Sequence, residues 1–209
     1  MNHPHRVVLL AGPSGSGKSY IAQRTGLPVL CLDDFYKDGD DPTSPRRNGQ
    51  VDWESPQSWN AEAALEAIAR LAREGQAEVP VYSIDADRQV STRTFDLAGS
   101  PLFVAEGIFA AEIVRECRRR GLLAGAYALR RPRSTTFFRR LARDLSEQRK
   151  APRVLVRRGL ALLRTEPAVL HRQTNLGAEA ARGREVLHRV AGLLAGHPHH
   201  ADQSRNSGS

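Results

Sequence analysis

The sequence has few cysteines and no long apolar run, and each shortage excludes a class of protein. Its two cysteines, Cys31 and Cys117, lie far apart and match no C-x-x-C or metal-ligand spacing. They indicate buried free thiols in a reducing compartment and no zinc site. No stretch approaches the roughly 20 apolar residues of a membrane span, and the run at 7–11 is too short for a signal-peptide core. We therefore expect a cytoplasmic protein with no membrane partner.

Lysine is also scarce, because only Lys18, Lys37 and Lys150 stand among the 31 basic residues. The formal net charge is +8 and the isoelectric point is about 10.3. Such a charge favours a polyanionic partner, whether nucleic acid, a membrane surface or a phosphorylated metabolite. An excess made almost wholly of arginine is equally explained by the composition of the source genome. Charge alone therefore does not choose between these interpretations.

The length and apolar content predict a single domain. A chain of 209 residues with 40% apolar residues can bury one core and leaves little room for a second. We expect this domain to span residues 1–196. The polar segment at 197–209 is expected to be a disordered tail.

Apolar runs alternate with helical patterns along the chain, which predicts βαβ units around a mainly parallel sheet. Strands are expected at 6–11, 27–32, 101–107 and 122–129, and helices from about 17, at 56–74, from about 108 to 120 and at 179–194. Residues 78–84 and 90–97 read as a small hairpin, and 37–55 as a long loop of the kind that is often functional. A basic helical segment is expected at about 134–163.

One motif has a specific chemistry, the stretch "GPSGSGKS" at 12–19. Its G-x-x-x-x-G-K-S spacing lies between a strand and a helix, which is the context of a phosphate-binding P-loop. Glycines let backbone N–H groups surround phosphate oxygens at a helix N-terminus. Lys18 would reach the β- and γ-phosphates, and the Ser19 hydroxyl would bind Mg²⁺. The predicted nucleotide-binding residues are Gly12, Pro13, Ser14, Gly15, Ser16, Gly17, Lys18, Ser19 and Tyr20.

The rest of the chain narrows the class of P-loop protein. No lysine lies in the N-K-x-D motif of guanine-specific GTPases, and no L-S-G-G-Q-like signature of ABC ATPases is present. Carboxylates follow two predicted strands, at Asp33 and at Glu106, and arginines are dense late in the chain. Phosphoryl transfer to a small hydroxyl compound uses such a set: a base, a carboxylate near the metal and arginines that stabilise charge.

Several motifs in order give the chain a family resemblance. It resembles the uridine kinase and phosphoribulokinase group of P-loop kinases through "DDFYKD" (33–38), "VDWESPQSW" (51–59), "PVYSIDADR" (80–88), "VAEGIFA" (104–110) and "FFRRLARD" (137–144). The resemblance covers about residues 6–150. It implies an α/β P-loop NTPase fold of three layers with a mainly parallel central sheet, an arginine-rich helical lid at about 134–165, and the use of ATP and Mg²⁺.

The same resemblance implies a role for individual residues. Asp33 would be the catalytic base, Asp52 would hold sugar hydroxyls, and Tyr36 and Tyr82 would line the acceptor pocket. Glu106 would work beside Mg²⁺ near the substrate, and Arg88 would contact the substrate. Arg140 and Arg143 would be catalytic residues of a closing lid, and Lys18 would be the catalytic residue of the P-loop. Asp33 or Asp34 could instead cap a turn, and Asp52 could bond its own loop. Tyr82 could belong to the core, and Glu106 could pair with an arginine.

The sequence departs from the family pattern at three places. Where pyrimidine-specific members have a base-reading histidine, this chain has Asp87, and the arginine that follows, Arg88, comes one residue early. Arginine spacing thins after Asp144. An "ADVII"-like strand expected near the end is replaced by "LGAEAARG" (176–183), which suggests an altered sheet edge.

The sequence therefore supports a kinase of a small hydroxyl compound, with a nucleoside as the favoured acceptor. A sugar phosphate or a pantothenate-like acceptor is the alternative within that class. The other class is a basic nucleic-acid-binding protein with a regulatory nucleotide site. Against it, the basic segment has no interleaved aromatics beyond Phe137 and Phe138 on which bases could stack. We expect no nucleic-acid partner, and the sequence leaves a homo-oligomer open.

Overall fold

The computed structural model of the protein describes residues 3–130 and 167–196. Five parallel strands form the central sheet: β1 (Arg6–Ala11), β2 (Val29–Cys31), β7 (Leu102–Gly107), β8 (Leu123–Leu129) and β9 (Glu179–Ala181). Their order across the sheet is β2-β7-β1-β8-β9. The predicted α/β fold with a mainly parallel central sheet is confirmed.

Helices cover both faces of this sheet. They are α1 (Lys18–Arg24), α2 (Ala61–Glu74), α3 (Val114–Arg119), α4 (residues 167–175) and α5 (Gly183–Ala195). Side chains of β1 alternate between two buried clusters: Val7 and Leu9 pack with residues of α2 and α3, whereas Val8 and Leu10 pack with residues of α1 and α5. A strand buried on both faces has to be a continuous apolar run, and β1 is one.

The remaining strands lie outside the central sheet. The predicted hairpin is present as β5 (Gln76–Ser83) and β6 (Arg88–Asp96), which pair antiparallel in a sheet of their own. The predicted long loop contains a second, smaller hairpin of β3 (Arg46–Arg47) and β4 (Gln50–Val51). No helix in the described part of the chain is long and apolar enough to cross a membrane.

Three predicted boundaries were wrong. Strand β2 ends at Cys31, and the residues after it form a 3₁₀ turn, Leu32–Phe35, so Asp33 is not on a strand. Helix α2 begins at Ala61 and not at residue 56, because the Asn60 side chain accepts the N–H of Ala63 and caps the helix there. Residues 56–58 form a separate 3₁₀ turn.

The third error is at the sheet edge, where 179–181 was expected to be helical and the family's last strand to be replaced. These residues form β9 and pair with Tyr127–Leu129 of β8. Glutamate and alanine favour a helix in isolation, and the pairing with a neighbouring strand overrides that preference. The predicted lid at 134–165, with Arg140, Arg143 and Asp144, and the tail at 197–209 lie outside the described residues.

Candidate active site

Several of the predicted site residues lie at the carboxyl edge of the central sheet, beyond the ends of β1, β2 and β7. Ligands of open α/β sheets bind at this edge, in the crevice formed by the loops that follow the strands. The loop after β1 supplies the P-loop, the turn after β2 supplies Asp33 and Asp34, and the end of β7 supplies Glu106 and Gly107. Strand order thus brings together residues up to 94 positions apart, from Gly12 to Glu106.

The P-loop is tightly packed and carries an unpaired buried hydroxyl. A side chain at Gly12 would place its Cβ 2.9 Å from Ser16 Oγ, so only glycine fits. Ser16 Oγ is buried and has no hydrogen-bond partner among the described residues. A buried hydroxyl without a partner is costly, and an anion in the loop would provide one. This region of the loop therefore suits a phosphate.

Lys18, Ser19 and Glu106 form the chemical centre of the site. The Ser19 hydroxyl donates to Glu106 Oε1 at 2.6 Å, and Lys18 Nζ donates to the Pro13 carbonyl at 3.4 Å. Lys18 and Glu106 are only 6% and 7% exposed. Burial raises the pKa of Glu106, an effect that Lys18 and the Ser19 bond partly offset and that Asp33 and Asp34 increase. A charged carboxylate at this position is stabilised by a cation.

The oxygens of Ser19 and Glu106 fit Mg²⁺ better than a transition metal. Within 3–130 and 167–196 no cluster of three or more His, Cys, Asp or Glu residues could hold a metal ion. Mg²⁺ is usually held by one or two protein oxygens, with substrate phosphates and water completing its shell. A hydroxyl and a carboxylate 2.6 Å apart are hard oxygen ligands of the required kind.

Asp33 is fixed by close contact with the end of β7. Its Oδ1 accepts the backbone N–H of Ile108 at 3.1 Å. A Cβ at Gly107 would lie 2.9 Å from that oxygen and 2.8 Å from Leu32 Cβ, so glycine is required for the approach. The indole N–H of Trp59 donates to the Leu32 carbonyl at 2.7 Å. The turn that carries Asp33 is thus held at its first two residues by β7 and by Trp59.

Asp34 points to different partners. It accepts the backbone N–H of Tyr82 and the Cys31 thiol, and it interacts with Arg93. Burial raises the pKa of Asp34, and these partners partly offset the increase. Two neighbouring residues of a 3₁₀ turn with 3.0 residues per turn differ in direction by about a third of a turn. The two carboxylates therefore bond to different partners, because the turn directs them apart.

An aromatic cluster lies beside Asp33 at this edge. The Tyr36 ring lies 5.6 Å from that of Trp53, 5.9 Å from that of Tyr82 and 6.0 Å from that of Phe109. The Tyr36 hydroxyl donates to the Trp53 carbonyl at 3.1 Å, and the Tyr82 hydroxyl to the Lys37 carbonyl at 3.2 Å. Burial and nearby carboxylates raise the pKa of Tyr36, and they raise that of Tyr82 to about 12.

Other predicted residues are engaged with their own loops or with solvent. Asp52 Oδ1 accepts the N–H of Glu54 at 3.2 Å. This is the hydrogen bond within its own loop that we named as the alternative to a role in binding sugar hydroxyls. Arg88 is largely exposed and pairs with Asp40 at 3.7 Å. Tyr20 is 47% exposed and accepts a hydrogen bond from Arg24 at 3.1 Å.

Sequence reasoning missed three residues of this region. Trp53 and Phe109 were present in the quoted motifs, directly after Asp52 and three residues after Glu106, so their spacing could have indicated them. Gln173 gave no signal, because it lies in a polar stretch without a motif. Its side chain is buried and donates to the Ile108 carbonyl at 3.3 Å.

Comparison with known proteins places this geometry in context. No protein-family model matches the chain. It is 30% identical over 149 residues to the uridine kinase of Schizosaccharomyces pombe, a match that covers 68% of this chain and 32% of that protein. It is 28% identical over 109 residues to inorganic pyrophosphatase TTM2 of Arabidopsis thaliana, covering 50% of this chain and 15% of that protein. The chain thus spans about a third or less of these curated relatives.

The fold is shared with a solved structure. The putative fructose transport system kinase from Silicibacter sp. TM1040 superposes with a TM-score of 0.60 over 86% of this chain and 88% of that one. The sequence identity is 16%, so this similarity concerns the fold.

Proposed function

We propose that this chain is an ATP- and Mg²⁺-dependent kinase of a small hydroxyl compound. Its sequence similarity to uridine kinase and its fold support a uridine kinase-like family of P-loop kinases. The favoured acceptor is the 5′-hydroxyl of a nucleoside such as uridine or cytidine. One observation carries the proposal: Lys18, Ser19 and Glu106 converge with Asp33 at a single sheet edge, although they come from three separate segments of the chain.

Each of these residues has a proposed role in phosphoryl transfer. Bound Mg²⁺ would neutralise charge on the phosphates, and Ser19 and Glu106 are the residues that would hold it. Lys18 would stabilise the negative charge of the transferred group. Asp33 would orient the acceptor hydroxyl and take its proton, which in a loose transition state requires no unusual acidity. Arg140 and Arg143 are proposed to add positive charge from the segment outside the described residues.

The acceptor side favours an uncharged compound over a sugar phosphate or a carboxylate such as pantothenate. Its aromatic rings offer an apolar surface for a base, and several carboxylates surround them. Asp33 and Glu54 act on Tyr36, and Asp38 and Asp87 act on Tyr82. An anionic acceptor would be repelled by this negative field, whereas a nucleoside would not.

Base selectivity is proposed to be weak. Asp87 stands in the turn between β5 and β6 with a φ of 48° and is exposed, and a carboxylate can only accept hydrogen bonds. A side chain of this kind cannot discriminate among bases by donating to a carbonyl. We expect uridine and cytidine to be used with similar efficiency, and strict selectivity for uridine would contradict this part of the proposal.

The test is acceptor-stimulated release of ADP in a coupled assay. Uridine, cytidine, adenosine, fructose, pantothenate and ribulose 5-phosphate are compared with and without Mg²⁺, and single-stranded nucleic acid is added in a separate reaction. We expect stimulation by nucleosides that disappears in excess EDTA. Stimulation by nucleic acid alone would support the regulatory nucleotide site instead. Phosphate release from pyrophosphate without an acceptor would indicate hydrolysis in place of transfer.

A further inference from the structure

A buried side-chain amide contacts the segment that holds Asp33, and it comes from a helix that none of the predicted motifs includes. Gln173 of α4 is 4% exposed, and its Nε2 donates to the Ile108 carbonyl at 3.3 Å. Its Oε1 is also buried and has no partner among the described residues. Burying a primary amide with only part of its hydrogen bonds satisfied is costly, so a nonpolar residue would serve better if packing were the only requirement.

Ile108 connects this amide to Asp33. Its carbonyl accepts from Gln173, and its N–H donates to Asp33 Oδ1 at 3.1 Å. The N–H and the carbonyl of Ile108 belong to the two planar peptide groups that flank its α-carbon, and only φ and ψ of this residue relate their directions. A hydrogen bond that fixes the carbonyl therefore reduces the freedom of the N–H. The Gln173 bond therefore limits where the N–H that holds the Asp33 carboxylate can point. Gly107 next to it has no side chain to restrict the backbone.

Helix α4 has the anchoring that such a role requires. Arg115 donates to the Asn175 carbonyl at 2.9 Å, and Arg118 donates to the Gly177 carbonyl at 3.2 Å. These contacts attach α4 and the residues after it to the segment that follows β7. Helix α4 is thus fixed against this segment, and Gln173 can act as a hydrogen-bond donor in a fixed position.

Building on the proposed function, we propose that Gln173 is a positioning residue for the base: through Ile108 it fixes the Asp33 carboxylate toward the acceptor hydroxyl. The Gln173 side chain acts only through the backbone of residue 108. Its loss should therefore lower kcat, because the base is less well oriented, while ATP binding at the P-loop is unaffected.

The experiment compares Gln173→Met and Gln173→Glu with Arg172→Met in the full chain. Methionine keeps the volume without a donor, and glutamate keeps the shape without the donating NH₂. Arg172→Met is the matched control, since it removes a contact of the same helix with the same segment at an exposed position. We expect both Gln173 variants to lose roughly tenfold in kcat with an unchanged KM for ATP, as for loss of one orienting hydrogen bond. The control should stay within about twofold of wild type.

Two measurements that need no activity separate this proposal from the proposed function. Hydrogen exchange of the Ile108 amide should be about tenfold faster in the Gln173 variants than in wild type, and the ¹³C carboxyl resonance of Asp33 should shift. Both should be unchanged in Arg172→Met. Unchanged exchange and an unchanged Asp33 resonance would overturn the positioning role. Faster exchange with an unaltered kcat would also overturn it, whereas a wild-type protein without kinase activity would contradict only the proposed function.

Discussion

The donor and acceptor sides that we propose for the site are built differently. On the donor side, Lys18, Ser19 and Glu106 stand on regular elements, at the start of α1 and in buried β7. On the acceptor side, Asp33 lies in a 3₁₀ turn and Tyr36 and Trp53 lie in irregular chain. Phosphate chemistry is the same for every P-loop kinase, whereas acceptors differ. Binding the same phosphates requires a rigid donor side, and binding different acceptors requires an acceptor side built from loops.

The donor side should show the largest effect of a single substitution. Lys18→Ala removes the buried cation next to Glu106 and should lower kcat by about 10³-fold or more, since transition-state charge loses its main stabilising contact. Steady-state kinetics with saturating acceptor measures this. Lys37→Ala is the control, because Lys37 is a partly buried lysine outside the P-loop whose side chain donates to Thr43 at 2.8 Å. A Lys18→Ala enzyme with half the wild-type rate would contradict the assignment of the P-loop.

The junction between the two sides should be the next most sensitive. Gly107→Ala places a methyl group within 3 Å of both Asp33 Oδ1 and Leu32 Cβ, so the turn must move. We expect a loss of about 10²-fold in kcat and about 1–3 kcal/mol in the free energy of unfolding. Kinetics and urea unfolding measure the two effects. Gly192→Ala is the control, since nothing lies within 4 Å of its added Cβ. Normal kcat in Gly107→Ala would show that the position of Asp33 does not limit the reaction.

The aromatic cluster should affect only acceptor binding. Trp53→Ala removes a ring 5.6 Å from that of Tyr36 and should raise the KM for the nucleoside about tenfold, as base stacking on an aromatic ring is worth about 1–3 kcal/mol. The KM for ATP should be unchanged, and it serves as the internal control. An equal rise in both constants would show that Trp53 supports the fold of the whole site, and that the two sides are not separable.

The same division explains what could be predicted from the sequence. The parallel sheet and the P-loop follow from apolar runs and a local motif, and contacts such as Ser19 to Glu106 then follow from strand order. The position of Asp33 was given by the motif, but its 3₁₀ turn depends on contacts with Gly107 and Ile108, about 75 residues away. Strand β9 and Gln173 depend wholly on tertiary pairing. Local patterns carry no information on contacts of this kind.

The smallest effect expected is a change in pH dependence. Burial raises the pKa of Glu106 above its ordinary value near 4.5, so the folded protein holds that proton more tightly than the unfolded chain. Its contribution to stability is fully present below pH 4.5 and is lost as the pH rises through the folded pKa. Glu106→Gln should therefore lose less stability than wild type between pH 4.5 and 8 in EDTA, as measured by urea unfolding.

A surface carboxylate provides the control of opposite sign. Hydrogen bonds from Arg119 and Arg120 lower the pKa of Glu116 to about 2, so its contribution is present above pH 4.5 and is lost as the pH falls toward 2. Solvent screening keeps this contribution small. Glu116→Gln should flatten the acid side of the stability profile and leave the range above pH 5 parallel to wild type. Parallel profiles for wild type and Glu106→Gln above pH 4.5 would contradict the burial of a charged Glu106.

The most direct test of the account is the pair Asp33→Asn and Asp34→Asn, assayed with saturating ATP and with nucleotide affinity measured separately. Asp33 faces the end of β7 beside Glu106, whereas Asp34 anchors Tyr82 of β5. We predict that Asp33→Asn keeps its ATP affinity and loses kcat by about 10²–10⁴-fold, and that Asp34→Asn shows only a modest rise in acceptor KM or a small loss of stability. An inactive Asp34→Asn beside an active Asp33→Asn would contradict the assignment of the base and of the acceptor side.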